Sequence, residues 1–295
     1  MYAITGVTGH VGGAAARELL SKGEAVRAVV RDEAKAGTWA RAGAEIAVAD
    51  FGGRAALAEA FRGCRAAFVM LPTDPALADP DADHRRLADS IAGAVRDSGI
   101  AHVVMLSSIG AELAAGTGPI RWLHHMEERL RRTGVTLTAV RPPHFQEKVE
   151  TVLGAARELG VYPVFAGSAD VPTPMVATRD IGAVVAGALS APSPAEEVIG
   201  LDCPHYTERQ VAEELGAVLG RPLEVVTVPQ AEWAGLMVQA GLPPQLAEEL
   251  AELYDAERRG LLQPSGDRHI TCTTELGETL RHVAGSGGAV VGQVL

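Results

Sequence analysis

Apolar residues in the first half of the chain fall into short, nearly continuous runs. Between these runs they recur every three or four positions. The runs Tyr2–Thr5, Ala25–Val30, Ala44–Val48, Ala66–Leu71, Ala101–Ser107 and Thr136–Arg141 predict six strands. Ala101–Ser107 is apolar at nearly every position, the mark of a strand covered on both faces. Val11–Lys22 places Val11, Ala14, Ala15 and Leu19 at helical spacing, and Gly23 stops it. Further helices are predicted over Glu33–Arg41, Ala55–Arg62, His84–Ser98 and Ile120–Arg132, with Gly43, Gly99 and Gly134 at three of their ends. Pro72 and the Pro142-Pro143 pair halt the fourth and sixth strands. Alternation of this kind with short connections demands a parallel sheet with helices on both faces.

The second half is less regular. Helices are predicted over Val149–Leu159 and Thr178–Leu189, with a loop-rich 160–174 between them and a strand at Glu197–Leu201. Thr207 and Gln210 form a T-x-x-Q capping box opening a helix to Leu219. A short strand at Leu223–Val228 and helices over Ala231–Ala240 and Pro243–Arg259 follow. These late helices arrive after the sheet is complete and imply a small lobe at its edge. The Gly-rich tail 285–295 is expected to fray.

The first strand runs into Gly6-Val7-Thr8-Gly9-His10-Val11-Gly12 and then a helix, a G-x-x-G-x-x-G pattern in strand–turn–helix context. Gly6 permits the tight turn, Gly9 lets the backbone approach a pyrophosphate, and Gly12 lets the helix pack on the sheet. The helix N-terminus then offers free N–H groups and a positive dipole end to the phosphates. The expected fold is an α/β Rossmann-type doubly wound parallel sheet with a small C-terminal α/β lobe. Residues 1–141 form the dinucleotide-binding core, completed by about 175–202; 142–174 and 203–284 form the substrate-binding lobe. Cofactor choice is set at the end of the second strand, which reads Val29-Val30-Arg31-Asp32. A guanidinium where NAD-binding proteins place a carboxylate suits a 2′-phosphate, so NADP(H) is preferred. Asp32, next in line, still reaches a ribose, which keeps NAD(H) open.

Composition narrows the partners. The 295 residues are 47% hydrophobic, enough for a full core, and the formal net charge is −11. That balance repels phosphate backbones and acidic membrane surfaces, so neither nucleic acid nor membrane is expected. Cys64, Cys203 and Cys272 stand far apart and form no CxxC pair. The first strand begins almost at Met1 and no apolar run is long enough to span a bilayer, so a cytoplasmic protein is expected. The Asp-rich, Pro-interrupted stretch Asp74–Asp83 lacks EF-hand spacing and reads as a solvated loop, leaving no metal site.

The segments GVTGHVG at Gly6–Gly12, VRAVVRD at Val26–Asp32, VVMLSSIGA at Val103–Ala111 and GVTLTAVRPPHFQEK at Gly134–Lys148 resemble the NmrA-like group of atypical short-chain dehydrogenases/reductases. That group includes NAD(P)H:quinone reductases and non-catalytic redox sensors. The resemblance continues from Thr178 to Arg221. It implies that Thr8, Gly9, His10 and Val11 cradle the pyrophosphate, and that Arg31 meets the adenosine phosphate. Asp50 and Phe51 would border the adenine, Leu71 and Pro72 flank the ribose, and Ser107 and Ser108 face the nicotinamide side. Pro142–Lys148 would floor the substrate pocket. The departures are equally informative. No tyrosine has a lysine four residues on, so the Tyr-x-x-x-Lys acid/base pair of ordinary short-chain dehydrogenases is missing. The helix over Ile120–Arg132 carries Trp122, His124 and His125 instead, with Glu127 at the position of a family glutamate. Lys148 stands where quinone-reductase-like members commonly show Asn, and His144 replaces an aromatic residue or Gly.

Five residues are therefore candidates for chemistry. Lys148 either orients or protonates a carbonyl oxygen or is a surface lysine on a first helical turn. His124 and His125 point about 100° apart on a helix, so at most one faces the pocket; a histidine there would return a proton after hydride delivery. His144 follows two prolines in a loop at the end of the sixth strand. Ser107 either bonds the substrate or caps the strand end. Three functions compete on these residues. The first is an NADPH-dependent oxidoreductase delivering hydride to a quinone, enone or aromatic polyketide-like carbonyl. The second is a redox-sensing NADP(H)-binding protein without turnover, and the third a non-redox epimerase, cyclase or rearrangement enzyme on the same fold. The expected partner is a small aromatic or quinone-like molecule, and the reading leaves room for a homodimer.

Overall fold

The computed structural model describes residues 1–76 and 79–285. The tail expected to fray lies, from residue 286 on, outside the described residues, as do Leu77 and Ala78 within the Asp74–Asp83 stretch. The six expected strands are β1 (Tyr2–Ile4), β2 (Val26–Val30), β3 (Glu45–Val48), β4 (Ala66–Val69), β5 (His102–Leu106) and β6 (Thr136–Arg141). They lie in the order β3-β2-β1-β4-β5-β6, followed by Glu197–Asp202 and Arg268–Thr271, in one wholly parallel eight-stranded sheet. Chain order reverses between β1 and β4, and that switch point opens a crevice above the carboxyl ends of the strands.

The helices are α1 (His10–Ser21), α2 (Gly37–Arg41), α3 (Arg54–Phe61), α4 (Pro80–Ser98) and α5 (Ile120–Arg131), then Thr178–Ser190. Side chains alternate across each strand, and the sheet separates two cores. Tyr2, Ile4 and Phe68 face α1 and Thr178–Ser190. Ala3, Ala67, Val69 and Val103 face α3, α4 and α5. The α1 and Thr178–Ser190 helices touch at backbone range: a Cβ on Gly182 would lie 2.4 Å from the Ala14 Cβ.

The structure departs from the sequence expectations mainly after residue 141. The helix expected over Glu33–Arg41 is a 3-10 turn, Glu33–Lys35, followed by α2, because the Asp32 carboxylate turns back onto the Ala34 N–H (2.9 Å). Val149–Leu159 divides likewise into a 3-10 segment, Gln146–Thr151, and a helix, Leu153–Glu158. The segment 160–174 is not all loop. Val161–Val164 pairs in parallel with Glu224–Thr227, and Thr173–Val176 pairs with His144–Phe145 and His205–Tyr206. Arg268–Thr271, within the expected lobe 203–284, instead forms the edge strand of the main sheet. Its reason is polar: Arg268 binds Glu197 (2.8 Å) and His269 binds Asp202 (2.9 Å), so no apolar alternation announces it. The rest of the lobe has its own core, built on Val149, Leu153, Tyr162, Met175, Leu215 and Leu280.

Candidate active site

At the end of β1 the Thr5 hydroxyl donates to the Phe68 carbonyl (3.0 Å), and the chain turns sharply at Gly6, whose φ is +62°. A Cβ on Gly12 would lie 2.4 Å from the Gly6 carbonyl oxygen, so α1 begins directly against the strand end. No side chain caps α1 at Gly9, and its first turn carries no acidic residue. Among the described residues the Val11 and Gly12 N–H groups have no partner, and the positive dipole end lies behind them, which fits a pyrophosphate. His10 lies beside them with its Nε2 3.2 Å from a Glu150 carboxylate oxygen. That hydrogen bond raises the imidazole pKa above its ordinary value, against the opposing effect of burial.

The cavity over the strand ends is lined by Gly6, His10, Val11, Gly12, Leu71, Ser107 and Ser108, which places these expected cofactor contacts together. Thr8 and Gly9 form the turn itself. Arg31 stands exposed at the end of β2 and makes no hydrogen bond or ion pair with another described residue. Asp32 and Asp50 are both spent on local turns, Asp50 accepting from the Gly52 N–H (2.8 Å), while Phe51 is buried. Arg31, Asp50, Phe51 and Pro72 do not line the cavity.

Ser107 is buried, and its hydroxyl donates to Glu127 (2.6 Å). Glu127 is fully buried and also accepts from Arg141 Nε (3.0 Å) and Nη2 (2.8 Å) and from Arg131 (2.8 Å). Glu127 thus positions a serine and an arginine at the ends of β5 and β6. His124 and His125 stay out of the cavity because α5 turns them elsewhere. His124 Nδ1 meets the Ala111 carbonyl (2.9 Å), and His125 faces Asp89 on α4 (3.9 Å).

His144 and Lys148 do reach the site. Both line the first cavity and a second one continuous with it, walled by Val152, Ala155, Val164, Phe165, Leu236 and Met237. His144 Nε2 lies 2.9 Å from Glu257, and Lys148 Nζ lies 2.9 Å from Glu208, which also accepts from the Tyr162 hydroxyl (2.6 Å). Burial pushes Glu257 up, but the hydrogen bond and charge of His144, with the Lys148 charge, bring its pKa down to about 2. Burial likewise works against the Lys148 ammonium, yet Glu208 and Glu257 outweigh it and hold the lysine firmly protonated. The loop that carries these residues is anchored. Glu147 accepts from the Thr178 N–H (3.0 Å to each oxygen) and hydroxyl (2.6 Å), capping that helix, and Gln146 donates to the carbonyls of Met175 (3.2 Å) and Thr274 (2.9 Å).

Two site features escaped the sequence. His84 lines the cavity, stacked on Trp122 at 3.8 Å and 11°. Its Nδ1 bonds the Pro80 carbonyl (2.5 Å), so the proton sits there and Nε2 accepts from the Thr73 hydroxyl (2.9 Å). Leu250, Leu253, Tyr254 and Glu257 present one face of the helix Pro244–Arg258 to the cavities. Their spacing of three and four was legible; which neighbour that face meets was not.

Comparison with known proteins agrees with this geometry. A model of an NAD(P)H-binding family matches residues 6–192. The chain is 32% identical over 266 residues to the (4-alkanoyl-5-oxo-2,5-dihydrofuran-3-yl)methyl phosphate reductase of Streptomyces griseus, spanning 88% of each. It is 28% identical over 255 residues to the NAD(P)H azoreductase of Xenophilus azovorans, spanning 86% of each. The NADPH complex of an NADPH-dependent quinone oxidoreductase from Escherichia coli shares the fold with a TM-score of 0.79 at 24% identity, over 96% of this chain and 100% of that one. The glycine turn, the helix end beside it and the strand order together make a dinucleotide site, and the chain belongs to the NAD(P)H-binding family, as an NmrA-like reductase.

Proposed function

We propose that this protein uses NADPH to reduce a flat, conjugated acceptor: a quinone, an enone, an azo compound or an aromatic polyketide-like carbonyl. The observation that carries the reading is the continuity of the cavity. It runs from the glycine turn, past Ser107 and Ser108, into walls of Leu106, Trp122, Leu123 and Phe145. A planar apolar molecule fits such walls, and the relatives' names carry acceptors with conjugated double bonds.

The reduced nicotinamide, when bound, supplies a hydride, and the protein's task is to position and shield. The open N–H groups of α1, with Thr8, Gly9, His10 and Val11, take the pyrophosphate. Arg31 takes the 2′-phosphate, Asp50 and Phe51 border the adenine, and Leu71 and Pro72 flank the ribose. The Ser107 proton is committed to Glu127, so Ser107 offers the nicotinamide amide a lone pair, and Ser108 remains a donor. Lys148, beside His144, places positive charge at the far wall, where an acceptor oxygen gains electron density.

The test is a titration with NADPH and NADH followed by Trp fluorescence, then a panel of quinones, enones and azo dyes added to the tighter complex. Tight NADPH binding with acceptor-dependent loss of cofactor absorbance is expected. Binding without oxidation of any acceptor would move the protein to sensing or non-redox chemistry.

A further inference from the structure

The sequence lacks Tyr-x-x-x-Lys, yet the fold brings a tyrosine and a lysine to one place from distant segments. Tyr254, on the helix Pro244–Arg258, and Lys148, on the loop after β6, line both cavities where these join. We propose that Tyr254 is the proton donor of the reduction, with the Lys148 ammonium as the fixed cation beside it; the proposal rests on the reductase reading above.

The case is first one of elimination. A donor to substrate must have a proton not already given to the protein. The Ser107 hydroxyl donates to Glu127, the Thr178 hydroxyl to Glu147 and the Thr151 hydroxyl to the Lys148 carbonyl. His84 spends its one proton on Pro80, and His144 and His10 are turned to Glu257 and Glu150. Only the hydroxyls of Ser108 and Tyr254, among those lining the first cavity in the described residues, have no hydrogen-bond partner. A serine hydroxyl is far too weak an acid to give up its proton, whereas a phenol ionises near pH 10. The Tyr254 ring is also fixed in direction. It stacks on Phe165 (5.7 Å between centroids) and meets Trp233 edge-on (6.0 Å).

The lysine completes the device. Lys148 gives one N–H to Glu208 and retains others. Its carboxylate neighbours hold it protonated, so it acts through charge rather than by releasing a proton; burial, with Glu208 and Glu257, raises the Tyr254 pKa above that of a free phenol, and the Lys148 charge opposes this and steadies the phenolate as it forms. The step balances. Hydride with its electron pair adds to carbon, the π pair of the acceptor moves to oxygen, and the Tyr254 O–H bond breaks as its proton joins that oxygen. The cofactor is oxidised by two electrons and the acceptor reduced by two. The phenolate left beside Lys148 is reprotonated from water.

The deciding variant is Tyr254→Phe, which keeps the ring and its contacts. Its kcat with an enone should fall about 100-fold, the scale of a lost general acid, with unchanged NADPH affinity. A parallel titration of the NADP⁺-loaded protein with 4-nitrophenol, whose oxygen mimics the product's, should show binding at least about tenfold weaker in the variant. Wild-type kcat in Tyr254→Phe would overturn the proposal and leave the reductase reading standing. A wild-type protein that reduces no acceptor would overturn that reading instead, and equal nitrophenol binding by both proteins would then overturn the role of Tyr254 as well.

Discussion

Glu127 offers the sharpest test of how the cofactor edge of the sheet is held. Its carboxylate is fully buried and takes four hydrogen bonds, two from Arg141, one from Arg131 and one from Ser107. Glu127→Ala leaves Arg141, only 6% exposed, with a single carboxylate, Glu112 at 2.9 Å. Truncating one partner of a buried pair costs about 3–5 kcal/mol, because the remaining charge stays desolvated. Arg141 retains Glu112, and Arg131 retains Glu196 (2.5 Å) and Glu128 (3.1 Å), so the lower end, about 3 kcal/mol, applies here. Urea unfolding followed by far-UV circular dichroism reads it directly, and the thermal midpoint should fall by roughly 6 °C. Glu128→Ala, one residue along and half-exposed, is the control and should cost no more than about 0.5 kcal/mol. Replacing both Glu127 and Arg141 by apolar residues should cost less than the sum of the single changes, because neither charge is then stranded. A Glu127→Ala protein within about 1 kcal/mol of wild type would refute the argument and mean that water reaches this carboxylate.

Two further predictions concern the cofactor. Arg31→Ala should weaken NADPH binding about tenfold and leave NADH unchanged, since the guanidinium has no partner to lose among the described residues; fluorescence titration with both cofactors checks it. The His10 pKa is raised by Glu150, with Glu147 adding to it and burial and Arg17 opposing. A raised folded-state pKa contributes stability that is fully present below about pH 6.5 and is lost as pH rises through the folded value. NADPH affinity should fall in that same window, as the cation beside the pyrophosphate disappears, and His10→Gln should flatten the profile measured by isothermal titration calorimetry.

The Rossmann half was legible because its signals are local. Six strands each carry an apolar run long enough to recognise, and the glycine turn joins the first of them to a helix. The lobe was harder to read. His144–Phe145 and His205–Tyr206 are two-residue strands, and Val161–Val164 and Thr173–Val176 each contain a proline, so neither pair has a period to detect. Their pairing is set by long-range packing. The same holds for the site. Lys148 and His144 could be singled out because they follow the sixth strand, where a parallel sheet puts its ligands. Tyr254 and Glu257 come from a helix a hundred residues on, and only the folded chain shows what that helix faces. His124 and His125 illustrate the converse: chemistry-bearing residues on a correctly predicted helix, rotated away from the cavity.

The anchoring of the loop at Gln146 and Glu147 makes the enzyme divisible for engineering. The pocket floor is tied to Thr178, Met175 and Thr274, so substitutions there also disturb the helix that packs on α1 and, through it, the cofactor turn. The opposite wall, built by Trp233–Gln239 and Pro244–Arg258, meets the cavity through side chains such as Leu236, Leu250 and Leu253. Libraries confined to that ceiling can change the accepted molecule at little cost to NADPH binding, whereas libraries on the floor select for repair of the scaffold before they select for substrate.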